Sequence, residues 1–588
     1  MATDLASRLM SKVGRLILPF YLPKLKRFLA DLNRGREVQQ QTLRKILNLG
    51  ASTALGRDLG LASVRTSAEF RRQVPIAEYD RFAPYIERVA RGETSALFPA
   101  NEPLLTFVQT SATTGKAKIF PINRTWFQHY SHDYDLWGVK AYHDHPEMLG
   151  TRILNLAGPW SIGRTPGGHN IAIISAMIER YQSAIVRRTY ALPGVLKQVS
   201  DVDARGYLTV RLAAPQQLGF LSTVTPQQIL QIAEWVEQFG PQLVRDLHDG
   251  TLSDRFDVPA EVRRSLRGVI RTRHPELARR LGAILDRQGV LRPRDLWRPK
   301  LISCWLGGTV GHTSRRIPEL FGEDVPLRDQ GLLSSEGRHT IPLADNVTHG
   351  PLAIGSNFYE FVPAAEDATR SPTVFEAHEL EVGAEYRIIM TTLGGLYRYD
   401  IGDIVKCVGY MGETPLIEFL QKAGGYCDLV GEKLSAFTVC QAVLAGEAAA
   451  GLKLDTFTVA PCTSARGRPR YAVVVEQPLV PDAESISRFL GAFDKALGSA
   501  VLIYGVTRRQ RILEAPALVR IPAGEWRRYI AAEMQRLGAS ENQYKHKPLV
   551  SDQKFLTKLR VVDSWILQSD GSCLANNGPP PPADQRAA

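Results

Sequence analysis

A loop of hydroxyl residues, glycine and lysines directly follows a short apolar segment near residue 110. The segment Leu104–Val108 predicts a β-strand, and the loop T-S-A-T-T-G-K-A-K runs from Thr110 to Lys118. Backbone N–H groups, hydroxyls and lysine in such a turn can hold phosphate oxygens. The loop is not a Walker A motif, because it lacks the first glycine of that motif and has Ala117 where Ser or Thr is required. Taken alone, it predicts either a phosphate site or a polar turn between strands.

Length and composition predict a globular protein of more than one domain. A chain of 588 residues is too long for a single ordinary core. A hydrophobic content of 44% with 22% charged residues is typical of globular domains. The apolar run Leu16–Pro23 is too short to span a bilayer, and it lacks the cleavage site of a signal peptide. We expect an N-terminal helix packed on the body; a helix lying on a membrane surface is the alternative.

Cysteine spacing argues against a zinc protein, and the pattern of the basic residues argues against a nucleic-acid-binding protein. No C-x-x-C pair or histidine cluster accompanies the cysteines, which argues against a zinc site and favours buried thiols in a reducing cytoplasm; they are Cys304, Cys407, Cys427, Cys440, Cys462 and Cys573. The net charge of +12 invites nucleic-acid binding. However, the basic stretch from Arg263 to Arg298 has no aromatic ladder and no recognised module, so we expect a solvated helical face instead.

Strands alternate with helical segments along the first two thirds of the chain. Residues 1–100 predict mainly helix, and Thr225 followed by Pro226 predicts the N-cap and first position of another helix. The alternation indicates an α/β protein with layers of sheet and helix. The predicted strands are Leu104–Val108, Ile153–Leu156, Ile171–Ser175, Leu301–Trp305 and Tyr386–Thr392.

The character of the sequence changes near Lys422, where K-A-G-G predicts a hinge. Beyond it we predict a helix over Ile486–Leu497 and strands at Thr456–Val459, Tyr471–Glu476 and Val501–Tyr504. These elements indicate a compact α+β unit of about 150 residues. The predicted organisation is a large domain over 1–422, a small domain over 423–575 and a disordered Pro-rich tail over 576–588.

Three further motifs follow the phosphate loop in a fixed order. They are L-L-S-S-E at Leu332–Glu336, G-L-Y-R-Y-D-I-G-D at Gly395–Asp403 and N-Q-Y-K at Asn542–Lys545. Together with the loop they resemble the adenylate-forming superfamily, and more narrowly the auxin-responsive acyl acid amido synthetases, the GH-three-type enzymes. N-terminal segments agree, and the resemblance runs from about Gln41 to about Pro548. It implies a large adenylation domain of layered sheets and helices, followed by a small mobile α+β domain.

The resemblance also implies a role for each motif. The phosphates of ATP are expected at Ser111, Thr113, Thr114, Gly115 and Lys118, and the adenine side at Gly308 and Thr309. The ribose is expected at Asp403 with Lys422 at the hinge, and Mg²⁺ at Glu336, since a hard cation prefers oxygen donors. Lys545 is expected to reach the phosphate and acyl oxygens when the small domain closes, and is the predicted catalytic residue.

The chain departs from the family pattern at three positions. Ala112 replaces the usual glycine of the loop, and Lys422 replaces arginine, which loses a bidentate fork. Leu332 replaces the aromatic residue that stacks on adenine, and Phe358 or Tyr359 is the candidate substitute. Arg398 and Tyr399 are interpreted either as structural residues or as residues that contact the nucleotide directly.

The predicted function is ATP-dependent ligation of a carboxylic acid to an amino acid or other amine, through an acyl-adenylate with release of pyrophosphate. A ligase that delivers the acyl group to coenzyme A or a carrier thiol is one alternative, and a nucleotide-binding protein without turnover is another. Candidate bases for the amine are His129 and His132, although both also fit polar-surface or core roles. Candidate acyl-pocket aromatics, which also fit a core, are Trp126, Tyr130, Trp160 and Tyr181. We expect a cytoplasmic monomer that needs ATP and Mg²⁺ and binds no nucleic acid.

Overall fold

The structure, a computed structural model, describes residues 2–110, 118–156, 158, 160–366, 368, 371–464, 467–477, 482–537, 546–568 and 571–576. Contacts divide these residues into two compact units. The first comprises the residues up to 401 together with 405–419, and the second comprises 402–404 together with the residues from 420 onward.

The chain begins with five helices, which confirms the helical prediction for this part. Their ends are set by local chemistry: Thr66 accepts a hydrogen bond from the backbone N–H of Glu69, whose side chain accepts one from the N–H of Thr66. Within the described residues, no helix is long and apolar enough to cross a membrane. The helices are α1 (Ala2–Asp31), α2 (Gly35–Gly50), α3 (Ala54–Asp58), α4 (Ser67–Gln73) and α5 (Tyr79–Ala90).

The next part of the first unit alternates strands with helices. Its elements are β1 (Leu104–Gln109), β2 (Ile119–Asn123), α6 (Arg124–Asp144), β3 (Arg152–Asn155), β4 (Gly163–Arg164), β5 (Asn170–Ala172), α7 (Ile174–Tyr181), α8 (Ala184–Arg187), α9 (Val202–Ala213), β6 (Leu218–Ser222), α10 (Pro226–Asp249), α11 (Ala260–Ile270), α12 (Pro275–Gln288), α13 (Pro293–Leu296), β7 (Leu301–Cys304), α14 (Gly311–Ser314), α15 (Ile317–Phe321) and β8 (Leu327–Asp329).

Two four-stranded sheets result from these strands. One is mixed, in the order β2-β1-β5-β4. The other, in the order β3-β6-β7-β8, is entirely parallel. Its strands are buried because α9 and α10 pack on it: Tyr207, Ile232 and Val236 share one core with Leu221 and Ile302.

Most of the predicted elements in this part are confirmed. Helix α10 begins at Pro226 after the N-cap Thr225, and the side chain of Gln228 accepts the backbone N–H of Thr225. The strand predicted over Ile171–Ser175 is wrong in its second half. It ends at Ala172, and Ile174 begins α7, since a short apolar run does not by itself distinguish a strand from a buried helix.

A six-stranded sheet completes the larger part of the chain, in the order β11-β10-β12-β13-β14-β9. The pair β10–β12 is antiparallel along its whole length, from Asn357 opposite Thr392 to Pro363 opposite Tyr386. The strands are β9 (His349–Pro351), β10 (Asn357–Pro363), β11 (Phe375–Glu376), β12 (Glu385–Thr392), β13 (Tyr399–Met411) and β14 (Thr414–Lys422).

The remaining elements form an α+β unit around a five-stranded sheet of order β17-β18-β19-β20-β21. Helices α16 and α17 share its core through Val443, Phe489 and Phe493. The elements are β15 (Tyr426–Cys427), β16 (Leu434–Ser435), α16 (Ala436–Ala450), β17 (Phe457–Thr463), β18 (Pro469–Glu476), α17 (Ala483–Ala500), α18 (Leu502–Arg509), β19 (Ala517–Ile521), α19 (Glu525–Leu537), β20 (Asp563–Leu567) and β21 (Cys573–Asn576).

One predicted strand in this unit is wrong, and the predicted start of the tail lies one residue too early. Val501–Tyr504 is not a strand, because Leu502 begins helix α18. On that helix Tyr504 and Arg508 lie one turn apart, and both donate hydrogen bonds to Asp494 of α17. Asn576, predicted to open a disordered tail, is the last residue of β21.

Candidate active site

The loops at the carboxyl edge of the parallel sheet position two of the predicted motifs. Ligands of open α/β sheets bind outside this edge. Gly307–Thr309 follows β7, and the loop that contains Glu336 follows the neighbouring strand β8. The topology therefore brings the predicted adenine-side turn and the predicted metal ligand to the same edge of one sheet.

Asp329, at the end of β8, fixes this edge and is missing from the sequence prediction. Its carboxylate accepts the backbone N–H of Leu306 at 2.6 Å and that of Gly331 at 2.5 Å. Burial raises the pKa of Asp329 to about 6, against these backbone hydrogen bonds, which favour the carboxylate. The only sequence signal for this role was an acidic residue between a strand and a glycine, in R-D-Q-G.

Gly307 and Gly308 form a tight turn directly after β7. A Cβ on Gly307 would meet the Cβ of Thr348 at 3.1 Å, and Gly308 has a φ of +61° that favours glycine. The 3₁₀ turn Gly308–Val310 continues the loop and contains Thr309. Packing against Thr348 and the positive φ therefore account for the two glycines, and the adenine-side contact stays a prediction.

The L-S-S-E-G segment is a self-supporting turn. The hydroxyl of Ser334 accepts the backbone N–H groups of Glu336 at 3.1 Å and Gly337 at 3.2 Å, and it lies 3.0 Å from Nε2 of His339. The backbone N–H of Ser334 donates to the carbonyl of Gly337 at 2.9 Å. Because the turn satisfies its own polar groups, Glu336 has a defined position.

Two aromatic side chains from other elements hold Glu336. Nε1 of Trp126, on α6, donates to the carbonyl of Glu336 at 2.9 Å. The hydroxyl of Tyr399, at the start of β13, lies 3.4 Å from Oε1 of Glu336. Burial raises the pKa of Tyr399, and the neighbouring carboxylate adds to this effect, so the phenol stays protonated and donates.

Glu336 also faces the hairpin that carries the predicted phosphate loop. Ser335 and Glu336 line a small cavity together with Phe120, Pro121 and Ile122 of β2. The ring of Phe120 lies 6.1 Å from that of Tyr399. Strands β1 and β2 pair antiparallel up to Gln109 opposite Ile119, the two residues that flank the predicted loop in the sequence.

The ends of the predicted phosphate loop close on each other. The N–H of Thr110 donates to the carbonyl of Lys118 at 2.9 Å, and the N–H of Lys118 returns to the hydroxyl of Thr110 at 3.3 Å. Nζ of Lys118 lies 5.2 Å from the ring centroid of Tyr79. The predicted ligands Ser111, Thr113, Thr114 and Gly115 lie outside the described residues, and so does Ala112.

Arg398 is structural, which resolves the choice left open by the sequence. Its Nε donates to Oε2 of buried Glu360 at 2.8 Å. Its Nη1 donates to the carbonyls of Arg71 and Val74, at 3.0 and 2.8 Å. The residue has a φ of +49°, which is uncommon for a side chain of this size. The guanidinium therefore ties α4 and β10 to the turn that presents Tyr399.

The candidate adenine-stacking residues are placed elsewhere. Phe358 and Tyr359 are only 1% and 0% exposed. Phe358 lies edge-on to Phe70, 6.4 Å between ring centroids, and the hydroxyl of Tyr359 donates to the carbonyl of Arg338. The expectation that either could stack on adenine is wrong, because both residues fill the core on β10. Leu332 is half-buried and packs on the same core.

The surroundings of both candidate bases lower their pKa and favour the neutral imidazole. Nε2 of His129 accepts from Nζ of Lys45 at 2.7 Å, and burial together with that charge lowers the pKa of His129 to about 4. Burial and the charges of Lys24 and Arg27 lower the pKa of His132. His129 is therefore a neutral structural acceptor, which agrees with the alternative role weighed for it.

The four candidate pocket aromatics separate into two groups. Trp126 and Tyr130 are buried and stack on each other with ring centroids 4.8 Å apart, so they belong to the core. Trp160 and Tyr181 are partly exposed and lie edge to face at 6.1 Å. Phe127, absent from the sequence prediction, joins them 5.0 Å from Tyr181. This half-buried cluster is the more accessible aromatic surface.

A buried charged cluster lies behind Tyr130. The carboxyl of Asp133, on α6, is buried, and burial raises its pKa to about 7 against the positive charge of Arg338. The Arg338 guanidinium lies over the ring of Tyr134, 4.7 Å from its centroid, and donates to the carbonyl of Gln330 at 2.7 Å. These residues join α6 to the segment that carries Glu336.

Asp403 and Lys422, both in the second unit, form an ion pair. Nζ of Lys422 lies 2.6 Å from Oδ1 of Asp403, whose side chain is 4% exposed while that of Lys422 is 55% exposed. The N–H of Ala423 donates to the carbonyl of Gly402 at 2.7 Å. The acidic residue predicted for the ribose and the lysine predicted at the hinge therefore lie side by side.

Lys545 lies outside the described residues, but the segment that follows it is anchored. Nε2 of His546 lies 2.9 Å from the carbonyl of Phe457, and the N–H of Val459 donates to the carbonyl of Pro548 at 2.7 Å. Burial lowers the pKa of His546 to about 4, so this residue is neutral. Residue 545 thus immediately precedes a segment fixed on β17.

Among the described residues, no group of three or more carboxylate, histidine or cysteine side chains could hold a metal ion. A single buried carboxylate such as Glu336 nevertheless fits Mg²⁺. This cation keeps several waters and is usually held by one or two carboxylates plus substrate phosphates. The donor set is therefore compatible with Mg²⁺ that arrives with a nucleotide.

Comparison with known proteins identifies the family. The GH3 family N-terminal domain matches residues 24–327, the central domain residues 350–422 and the C-terminal domain residues 437–554. These matches cover most of the chain, and the chain belongs to the GH3 family. The prediction of this family is confirmed, and with it the prediction of a ligase of the acyl acid amido synthetase type.

Individual relatives match over nearly their whole length. A jasmonoyl–L-amino acid synthetase of Nicotiana attenuata is 24% identical, over 91% of this chain and 94% of the relative. An indole-3-acetic acid-amido synthetase of Arabidopsis thaliana is 23% identical, over 93% and 94%. The solved structure of the GH3.15 acyl acid amido synthetase superposes with a TM-score of 0.79 at 18% identity, over 92% of this chain and 97% of that one. The predicted fold class is confirmed.

We predict that removing one partner of the Arg398–Glu360 pair destabilises the protein more than removing both. Arg398→Met should lower the free energy of unfolding by about 3–5 kcal/mol, because it leaves Glu360 buried with only Arg71 as partner. The double variant Arg398→Met, Glu360→Leu should lose less than Arg398→Met, since no carboxylate is left buried. Urea unfolding measures both; a double variant that loses the sum of the two single changes would contradict the prediction.

Asp133 should make stability depend on pH. Its pKa of about 7 in the folded protein lies above the ordinary 3.8, so the folded state retains a proton that the unfolded state loses. The favourable contribution of Asp133 to the free energy of unfolding is complete below about pH 4, and it is lost as the pH rises through about 7. The stability of Asp133→Asn relative to the parent should therefore rise over that range and then level off. A difference between Asp133→Asn and the parent that stays constant over this pH range would refute the assignment.

Proposed function

We propose that the protein is an ATP-dependent acyl acid–amido synthetase that works through an acyl-adenylate. A carboxylate oxygen of the acid attacks the α-phosphorus of ATP, the bond to the pyrophosphate oxygen breaks, and pyrophosphate leaves. The nitrogen of an amine then attacks the acyl carbon, the bond to the AMP oxygen breaks, and the amine loses a proton. The products are an amide, AMP and pyrophosphate.

The observation that carries this proposal is the position of Glu336. It is a buried carboxylate on a self-supporting turn at the carboxyl edge of a parallel sheet, and it lines the same cavity as β2, the strand that directly follows the phosphate loop in the chain. Relatives that match over nearly their whole length are named as amido synthetases of jasmonate or indole-3-acetic acid. Both lines support an enzyme that brings a metal-bound triphosphate to a carboxylic acid.

The residues we assign to ATP are those of the loop and the sheet edge. Ser111, Thr113, Thr114, Gly115 and Lys118 would hold the phosphates, since hydroxyls, backbone N–H groups and lysine suit a polyanion. Gly308 and Thr309 would contact the adenine side. Glu336 would hold Mg²⁺, which supplies charge neutralisation for the departing pyrophosphate. Trp126 holds the backbone carbonyl of Glu336, and Tyr399 donates to its carboxylate.

In the second unit we assign Asp403 to the ribose hydroxyls, with Lys422 beside it. The 2.6 Å ion pair holds the Asp403 carboxylate in place, where it could accept two hydroxyl donors. Lys545 would act on the phosphate and acyl oxygens, and the anchoring of His546 on β17 would limit its range of positions. We propose a large domain over 1–422 and a small one over 423–575, joined at Lys422–Gly425.

The acid and the amine are small molecules. The half-buried cluster of Phe127, Trp160 and Tyr181 supports an acid with an apolar or aromatic body, since aromatic rings offer a large apolar contact area. We propose an amino acid as the amine and a monomer as the working form. Five of the six cysteines are buried, and buried thiols support a reducing compartment such as the cytoplasm.

A two-stage screen tests the function. A panel of carboxylic acids with ATP is read by pyrophosphate release, and the active acids are then offered amino acids, with the amide identified by mass. Robust thioester formation with coenzyme A and no amide from any amino acid would replace the proposal by a thiol ligase. Nucleotide binding without pyrophosphate release from any acid would indicate a non-catalytic protein.

Glu336 should be needed for its charge and not only for its hydrogen bond. Glu336→Gln keeps an acceptor for Tyr399 but removes the negative charge, so pyrophosphate release should fall about a hundredfold, on the order of 3 kcal/mol. Glu336→Ala should fall at least as far. Glu87→Ala, at an exposed carboxylate on α5, is the matched control and should keep the parent rate. A Glu336→Gln enzyme with the parent rate at limiting Mg²⁺ would show that another group holds the metal.

Lys545 should act in the first half-reaction alone. Lys545→Ala should slow adenylate formation about a hundredfold, because it removes a charge that acts mainly in the transition state. The variant should still convert a chemically prepared acyl-adenylate to amide at nearly the parent rate. Lys547→Ala, at an exposed lysine two positions on, is the control. Equal damage to both half-reactions by Lys545→Ala would contradict the assignment.

A further inference from the structure

Helix α1 presents two large apolar side chains to solvent. Leu16 is 70% exposed and Phe20 is 80% exposed. They lie four residues apart, so they are neighbours on one face of the helix. The opposite face is the one that packs on the protein, where Leu25 and Phe28 are buried in the large core. The exposed pair is therefore not part of the stripe that attaches α1 to the fold.

Basic side chains surround this apolar pair. Arg15, Lys24, Lys26 and Arg27 are all exposed, and the side chain of Arg27 is 83% exposed. At 100° per residue Arg27 falls between Leu16 and Phe20, Lys24 lies on one side of them, and Arg15 and Lys26 lie on the other. From residue 14 to the end of α1 the only acidic residue is Asp31. This face of the helix thus combines two exposed apolar side chains with four basic side chains.

This combination selects among the possible partners. A second copy of the same face would bring like charges together, which costs free energy. A nucleic acid would use the charges but would leave Leu16 and Phe20 without apolar contacts. An anionic phospholipid surface accepts both, because phosphate headgroups face the basic side chains while leucine and phenylalanine enter the acyl boundary. The chain's net charge of +12 acts in the same direction.

We propose that the face of α1 formed by Leu16, Phe20, Arg15, Lys24, Lys26 and Arg27 binds an anionic bilayer surface. The helix lies along the headgroup plane and does not cross it. Bound in this way, the protein would work at the membrane and draw apolar acids from it. That consequence rests on the proposed function, whereas the binding itself does not.

Co-sedimentation of the full chain with vesicles tests the proposal. The parent should bind vesicles of phosphatidylcholine with one third phosphatidylglycerol at least tenfold more strongly than pure phosphatidylcholine vesicles, and salt should weaken the binding. Leu16→Ser with Phe20→Ser should weaken binding to the anionic vesicles at least tenfold. The matched control is Leu502→Ser with Ile503→Ser, another solvent-exposed apolar pair, on α18, which should bind like the parent.

A charge variant and a self-association measurement complete the test. Replacing Lys24, Lys26 and Arg27 by glutamine should also reduce anionic binding at least tenfold. Circular dichroism checks that each variant is folded, and pyrophosphate release in vesicle-free solution should stay at the parent level. No preference of the parent for anionic vesicles, or equal binding by the Leu16→Ser, Phe20→Ser variant, would overturn the proposal. Dimerisation of the parent that this variant abolishes would assign the face to a second copy instead.

Discussion

The buried ion pair between Arg398 and Glu360 is the interaction on which the candidate site depends. Arg398 has a positive φ and donates both to Glu360 on β10 and to two carbonyls at the end of α4. A buried charge persists only where its partners are complete, so these three elements are held in one arrangement. That arrangement sets the direction of the next residue, Tyr399, whose hydroxyl points at Glu336. A structural pair thus determines where the candidate metal ligand meets its neighbours.

The carboxyl edge of the parallel sheet supplies the rest of the site. Asp329 closes the turn after β7 through the backbone of Leu306, and the Ser334 hydroxyl closes the turn that carries Glu336. Both turns are rigid because buried polar groups find their partners within a few residues. Rigid placement matters for adenylation, where most of the work is positioning and charge neutralisation rather than covalent chemistry by the protein. The face of α1 is chemically separate, since it uses exposed side chains that none of these contacts involve.

The sequence predicted those features that depend on local pattern or on ordered motifs. Strands such as Leu104–Gln109 and the start of α10 at Pro226 followed from apolar runs and capping residues. Val501–Tyr504 was wrong because its β-branched and aromatic residues fit either state, and the contacts of Tyr504 and Arg508 with Asp494 decide for helix. The burial of Phe358 and Tyr359, and the roles of Asp329, Asp133 and Phe127, depend on partners far away in the chain, which a single sequence does not reveal. The roles of Ser111 to Gly115 and of Lys545 stay predictions.

The most direct measurement follows one oxygen atom. The acid is prepared with a heavy oxygen isotope in its carboxylate and incubated with the protein, ATP, Mg²⁺ and an accepted amine, and the phosphorus products are analysed by mass. If the carboxylate attacks the α-phosphorus, each AMP carries one heavy oxygen from the acid, while pyrophosphate carries none. Heavy oxygen in inorganic phosphate with ADP as the nucleotide product, or unlabelled AMP beside a labelled amide, would show that no acyl-adenylate forms and would contradict the proposed mechanism.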